Sequence, residues 1–265
     1  MSGSDVTAEF ALDEGGWRID VIVQGYPGKS VCHGGLGWST IVLLRGHGHC
    51  ALIDTGSFGQ RQPILDRLTA HGLAPRDITD VLLTHSHWDH AINWVMFPNA
   101  RVHIAASELA WSLDEPWGLT PVPELYVREL AASPQLHRFE PGDAVLPGLA
   151  ASAAPGHTPG HVVFHLAGAQ RDVIFTGDAA KNRAEMLSLS ADMTYDPAVS
   201  RASMEAIWTL WRAKPGTVLV PGHDAPMLLD NGVPRYVATL SAGIAAWFGE
   251  DLADLTRFDI ARPKG

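Results

Sequence analysis

A sandwich of two β-sheets packed face to face, with helices on the outer sides, is the α/β fold that this sequence predicts. Three observations predict it. Short runs of β-branched and aliphatic residues fall into two groups along the chain, and each group is followed by segments with helical spacing. A chain of 265 residues with 46% hydrophobic and 18% charged residues has a globular composition and can fill a core. Several apolar runs also end in a tight, often glycine-bearing turn that presents histidine or aspartate.

Each element follows from its local pattern. Residues 17–24, 40–45 and 50–54 read as strands. Between the first two lies 25–38, rich in glycine and carrying Pro27, which is expected to be a mobile loop or hairpin tip. Residues 57–71 place Ile64, Leu65 and Leu68 at helical spacing, and Gly72 stops that helix. Residues 81–83 and 101–104 are short strands, and Ser107 is placed to cap a following helix. Residues 114–123, with Pro116, Pro121 and Pro123, are expected to form an irregular, lid-like insertion. Strands follow at 144–146, 149–154, 162–166, 172–175 and 217–220. Residues 197–212 read as a helix with Val199, Met204, Ile207, Leu210 and Trp211 on its apolar face, and 233–247 as a final helix. Trp94, Trp208 and Trp211 fit helix faces and are expected in the core. No repeat, low-complexity block or linker divides the chain. A single domain over 1–265 is expected, with 1–15 a flexible N-terminal segment.

Charge and cysteine content narrow the function. The net charge is −10, with 29 acidic against 19 basic residues and no Lys/Arg cluster, so a nucleic-acid partner is not expected. No apolar run reaches the ~18 residues that span a bilayer. The polar, acidic start of the sequence lacks the pattern of a secretory signal, so a cytoplasmic protein without membrane association is expected. Cys32 and Cys50 read as two reduced thiols and not as a disulfide framework.

The 13 histidines carry the chemistry through their grouping. In extended backbone, residues i and i+2 project to one side, so His85 and His87 can converge on a cation. Asp89 and His90 add an oxygen and a third nitrogen at the turn that follows. Imidazole with carboxylate suits zinc, and also iron, manganese or cobalt. Three more turns repeat the arrangement: Pro155-Gly156-His157, Thr176-Gly177-Asp178 and Pro221-Gly222-His223 each follow an apolar strand. If the strands run alike, all four turns share one edge of the sandwich. Trp88, between two of these residues, is placed to flank a substrate pocket. His33, His47, His49, His71, His103, His137 and His165 have no ligand-type neighbour at a telling spacing and read as surface or core histidines.

The series His85-x-His87-x-Asp89-His90, His157, Asp178, His223 resembles the metallo-β-lactamase superfamily, in order and with all seven ligands present. Leu52-Ile53-Asp54-Thr55-Gly56 is similar to that superfamily's first motif, and the resemblance covers the chain from about Trp17 to about Trp247. It implies an αββα sandwich of two mixed sheets with a site for two divalent metal ions at its rim: zinc, with iron or manganese as alternatives. His85, His87 and His157 would hold one ion. Asp89, His90 and His223 would hold the other, and Asp178 would bridge them. Asp54 would orient the ligand loop, and His161 would be structural or supporting. Two ions roughly 3.5–4 Å apart can share a water and lower its pKa, and the hydroxide then attacks a carbonyl or phosphoryl centre. Asp89 is the candidate for carrying the proton to the leaving group.

The substrate is less legible. A flavin-linked oxidoreductase would need a further domain, and a nuclease a basic surface. What remains is a small-molecule ester or lactone, with a thioester or amide as the alternative and a phosphodiester as the second. A metal-binding interaction module is the non-enzymatic alternative, although such modules usually lose ligands. Lactonase-like relatives often carry tyrosine three residues after the bridging aspartate, where this chain has Lys181. Tyr195 is a candidate substitute. Lys181 and Arg183 either bind a substrate carboxylate or are solvated charges at a helix start. A homodimer is compatible with the sequence.

Overall fold

A computed structural model describes residues 10–30 and 34–261. The first half of the chain forms β1 (Ala11–Glu14), β2 (Trp17–Val23), β3 (Lys29–Ser30), β4 (Gly34–Gly35), β5 (Ile41–Gly46), β6 (His49–Ile53), α1 (Arg61–Ala70), β7 (Asp80–Leu82), α2 (Trp88–Ala91), β8 (Arg101–Ala105), α3 (Ala106–Asp114), α4 (Glu124–Ala132) and β9 (Leu136–Phe139). The second half forms β10 (Ala144–Leu146), β11 (Leu149–Ala153), β12 (Val162–Leu166), β13 (Val173–Gly177), α5 (Arg183–Ser188), α6 (Pro197–Ala213), β14 (Val218–Pro221), β15 (Met227–Asp230), β16 (Val233–Tyr236), β17 (Gly243–Trp247) and β18 (Leu255–Asp259).

Two seven-stranded sheets result, in the orders β1-β2-β5-β6-β7-β8-β9 and β10-β11-β12-β13-β14-β15-β16. Both are mixed. In the first, β6, β7, β8 and β9 run parallel to one another, and in the second only β13 and β14 do. The period of two along the strands builds three apolar layers. Val173 and Phe175 of β13, with Val218 and Val220 of β14, meet Trp17, Ile19, Val42 and Leu44 between the sheets. Ile174 and Leu219, on the opposite face, meet Met204, Ile207, Trp208 and Trp211 of α6. On the far side Leu43, Leu52 and Val81 pack against Ile64 and Leu68 of α1, Leu109 of α3 and Leu130 of α4. Helix, sheet, sheet, helix is therefore the order of layers, as expected. Trp94, Trp208 and Trp211 are buried, whereas Val199 of α6 is exposed. Among the described residues no helix is long and apolar enough to cross a membrane.

The structure also departs from the sequence reading in its secondary structure. Residues 233–247 are not a helix but contribute β16 and β17. Asn231 and Gly232 have φ of 50° and 78°, and they join Asp230 to its cross-strand partner Val233. A two-residue Asn-Gly link with both residues at positive φ is the preferred hairpin turn, and it outranks an apolar pattern that Pro234 already weakens. Ser107 lies inside α3, whose N-cap is Ala105, and makes no cap. Of the N-terminal segment, Ala11–Glu14 is a strand paired with β2. The carboxylate of Glu14 accepts backbone N–H groups from Ala169, Gln170 and Arg171 across the sandwich. Residues 1–9, together with Cys32 and His33, lie outside the described residues. Cys50 is a free thiol.

At the start of β7, Asp80 is fully buried between two histidines that the sequence reading left without partners. His49 Nδ1 lies 2.7 Å from its Oδ2, and His103 Nε2 lies 2.8 Å from its Oδ1. Thr79 Oγ1 donates to Oδ2, and Arg101 stands 3.3 Å from Oδ1. Burial pushes the Asp80 carboxyl up, but the hydrogen bonds outweigh it and hold the group below the usual carboxylate range. A carboxyl whose folded pKa is depressed adds stability above its unfolded pKa, about 4, and that stability fades as pH falls below it. Asp80→Asn is therefore expected to cost about 2–4 kcal/mol at neutral pH. In urea unfolding the gap between variant and parent should narrow as the pH drops from 5 to 3, and a gap constant with pH would contradict the assignment.

Candidate metal centre

The four ligand-bearing turns meet at one edge of the sandwich. His85, His87, Asp89 and His90 follow β7, His157 follows β11, Asp178 follows β13 and His223 follows β14. Three overlapping sets of donor atoms lie within 4.8 Å of one another: His85, His87 and His157; His85, His90 and Asp178; Asp89, His90 and His223. Asp178 stands between the outer two. Its Oδ2 is 3.3 Å from His157 Nε2, while its Oδ1 is 3.1 Å from His90 Nε2 and 3.2 Å from His223 Nε2. Asp89 Oδ2 lies 3.3 Å from His223 Nε2.

The donor set fits divalent cations. His87 Nδ1 faces His157 Nε2 at 2.9 Å, and His90 Nε2 faces His223 Nε2 at 3.2 Å. Two imidazole nitrogens that close need a proton or a cation between their lone pairs. His85 Nε2 is buried with no hydrogen-bond partner and points at the same space. Burial drives the pKa of His85 and His157 well down and that of His87 to about 4, and neighbouring histidines add to the effect. All three are therefore neutral, with lone pairs free to ligate. His90 and His223 behave oppositely. Burial lowers them too, but Asp178 and Asp89 outweigh it and lift His223 to about 9 and His90 further above its usual value. Positive charge is thus demanded at the second set. Burial would raise the Asp178 carboxyl, yet His223, His90 and His157 hold it well below the carboxylate range. Imidazole and carboxylate donors of this kind suit Zn2+ and related ions.

Each ligand loop is held by identifiable bonds. Asp54, at φ 56°, accepts Thr84 N and Thr84 Oγ1 at 2.9 and 2.8 Å and takes His90 Nδ1–H at 2.8 Å. It fixes both the start of the loop and the tautomer of one ligand. His161 is not among the donor groups: its Nε2 accepts the backbone N–H of Asp178 at 3.0 Å. The carbonyl of Lys181 accepts His223 N at 2.8 Å. Gly222 has no room for a side chain, since a Cβ there would lie 2.5 Å from Asp178 Oδ1 and 2.6 Å from the Gly177 carbonyl.

The centre is the floor of a cleft of about 740 Å³. Trp88, Lys181 and Tyr195 line it, whereas Arg183 does not. The Arg183 Nε donates instead to the carbonyl of Pro234 at 3.1 Å, which turns the guanidinium towards β16. Residues the sequence reading did not single out complete the wall: Lys29, Gly37, Trp111, Leu119, Asp192 and Met193. The expected tip 25–38 and insertion 114–123 thus both border the cleft. No local pattern marks Trp111 or Met193, because their place depends on how α3 and the segment before α6 are brought to one edge.

With this geometry, the protein can be placed by class. The sequence profile described as the metallo-beta-lactamase superfamily matches residues 34–223, and the chain belongs to that superfamily. Metallo-beta-lactamase domain-containing protein 1 of Rattus norvegicus is 29% identical over 188 residues, covering 66% of this chain and 61% of that protein. The hydroxyacylglutathione hydrolase of Fuscovulum blasticum is 29% identical over 204 residues, covering 74% and 64%. The chain thus spans roughly six tenths of the length of these relatives. Among solved structures, AidC, a dizinc quorum-quenching lactonase, superposes with a TM-score of 0.71 at 16% identity, over 89% of this chain and 98% of that one, which shows a shared fold.

The tight approach of Gly222 gives a direct check. Gly222→Ala is expected to cost about 1–3 kcal/mol through overpacking. It should also reduce metal content, read by elemental analysis beside the thermal midpoint. Parental values of both would show that Asp178 and His223 are less tightly coupled than this contact implies.

Proposed function

We propose that the chain hydrolyses a small-molecule ester or lactone with two divalent metal ions, zinc foremost, and that a cytoplasmic enzyme acting on neither nucleic acid nor membrane is the setting for it. His85, His87 and His157 would hold one ion and Asp89, His90 and His223 the other, with Asp178 shared. The observation that carries the reading is the pair of donor sets converging on one carboxylate at the floor of an open cleft. Bound there, the ions would supply an activated water and polarise the substrate carbonyl.

The chain's own groups do the rest. Trp88, Trp111, Leu119 and Tyr195 offer apolar walls for an acyl or ring portion. Lys181 Nζ sits 3.1 Å from Glu185 Oε1 with its side chain only 12% exposed. That leaves ammonium protons for a substrate carboxylate or carbonyl oxygen. Glu185 also accepts Asp192 N at 2.9 Å and so ties the stretch before Tyr195 to the same anchor. Asp89, more open than the other ligands with its side chain 16% exposed, is the group able to take a proton from water and pass it to the leaving oxygen.

A second reading, thioester hydrolysis, is favoured by the hydroxyacylglutathione hydrolases among the relatives. Nothing in the net charge of −10 favours a phosphodiester. A panel of lactone, aryl ester, thioester, amide and bis-p-nitrophenyl phosphate separates the classes. Turnover is expected with the first two, and cleavage of the phosphodiester alone would sink the proposal. Asp89→Asn should retain metal at the His85 set while kcat falls by about 10²–10⁴. Lys181→Met is expected to raise KM for carboxylate-bearing esters by about tenfold with a smaller change in kcat, as follows when binding energy is lost equally from ground and transition states.

A further inference from the structure

The two donor sets differ in what holds them, and the difference assigns a role to a residue outside both. Glu108 lies on the first turn of α3 with no solvent exposure. Its Oε1 accepts Ser86 N and Ser86 Oγ at 2.8 and 2.7 Å. Its Oε2 accepts Thr158 Oγ1 and Gly160 N at 2.7 and 3.2 Å. Ser86 stands between His85 and His87, and Thr158 follows His157. One buried carboxylate therefore ties together the two loops that supply the His85, His87 and His157 set, and those loops come from different sheets. The loop also lies close against the helix: a Cβ on Gly160 would lie 2.2 Å from Glu108 N. The other set has bonds of its own, from Asp54 to His90 and from Thr40, whose N–H and hydroxyl donate to Gly222 O and Pro221 O around the turn before His223; Asp54 also anchors Thr84 at the start of the shared loop.

We infer that Glu108 is a positioning residue selective for the metal set of His85, His87 and His157, setting the distance between the His87 and His157 nitrogens. A carboxylate can do this because it offers acceptors to all four donors at once. In Glu108→Gln one end becomes an NH₂ donor, facing either Ser86 N–H or Gly160 N–H, and one loop is released. Outer bonds that orient ligands typically change metal affinity about 10- to 100-fold.

The test reads binding, not turnover, so it stands whatever the substrate proves to be. In the full chain, His223→Ala leaves the first set complete and His157→Ala leaves the second. Metal-free protein in each background is titrated with Co2+ against a competing chelator, following the visible cobalt absorption, with circular dichroism as the check on folding. Adding Glu108→Gln to the His223→Ala protein should weaken cobalt binding by about 10- to 100-fold and change the band positions. Adding it to the His157→Ala protein should change affinity by less than about twofold, since no outer bond of that set is touched. Equal losses in both backgrounds, or none in either, would overturn the assignment. Should Glu108→Gln fail to fold, Thr158→Val decides. Removing one of the four donors is expected to weaken binding several-fold in the first background only, and an unchanged first set would overturn the assignment.

Discussion

Everything at this edge of the molecule follows from one requirement: five buried imidazoles, the buried Asp178 carboxylate and the half-buried Asp89 carboxylate aim their lone pairs at a common space. Unpaired, such groups are costly to remove from water. The chain meets that cost partly by shifting protonation. Burial biases one set towards neutral imidazole, and Asp178 and Asp89 bias the histidines of the other towards positive charge. This split is the electrostatic image of a site built for cations, with the shared aspartate between its two halves.

Meeting the requirement depends on how the two sheets are joined. His85, His87, Asp89 and His90 come from the first sheet, and His157, Asp178 and His223 from the second. Apolar packing between the sheets fixes their spacing but is non-directional, so it cannot set donor positions to a fraction of an ångström. Directional bonds across the gap do that: Thr40 to Gly222 and Pro221, Val162 N to Thr84 O at 3.0 Å, and Glu108 to both ligand loops. Small residues at the crossings, Gly222 against Asp178 and Gly160 against Glu108, let the backbones approach closely enough. The parallel strands β6, β7 and β8 and the parallel pair β13 and β14 explain why the turns share an edge. Parallel neighbours end on the same side, and ligands bind beyond their carboxyl ends.

Above this rigid floor the cleft is built from a different kind of material. Its walls come from the 25–38 and 114–123 segments, the Lys181–Glu185 pair and the stretch around Tyr195. These are connections and short elements, the parts that vary while the scaffold stays. The scaffold therefore marks the class of chemistry, whereas the walls select the substrate.

Local patterns by themselves pointed to the central strands of both sheets, to helices over most of 61–70 and 197–213, to two packed sheets and to the candidate donor turns, while the seven-ligand set came with the family resemblance. Alternation, helical spacing and glycine-bearing turns are written in neighbouring residues. The same reasoning missed what depends on residues far apart. One miss was local: the Asn231–Gly232 turn, just before the residues read as a helix, joins Asp230 to Val233 in a hairpin. Arg183 carries the right chemistry for a substrate anion, but Pro234, 51 residues away, claims its guanidinium. No local pattern marks Glu108; folding places Ser86, 22 residues before it, and Thr158, 50 residues after it, around its carboxylate. Residue type and spacing fix what a side chain is able to do, but only the packing of sheets and loops decides which partner it meets.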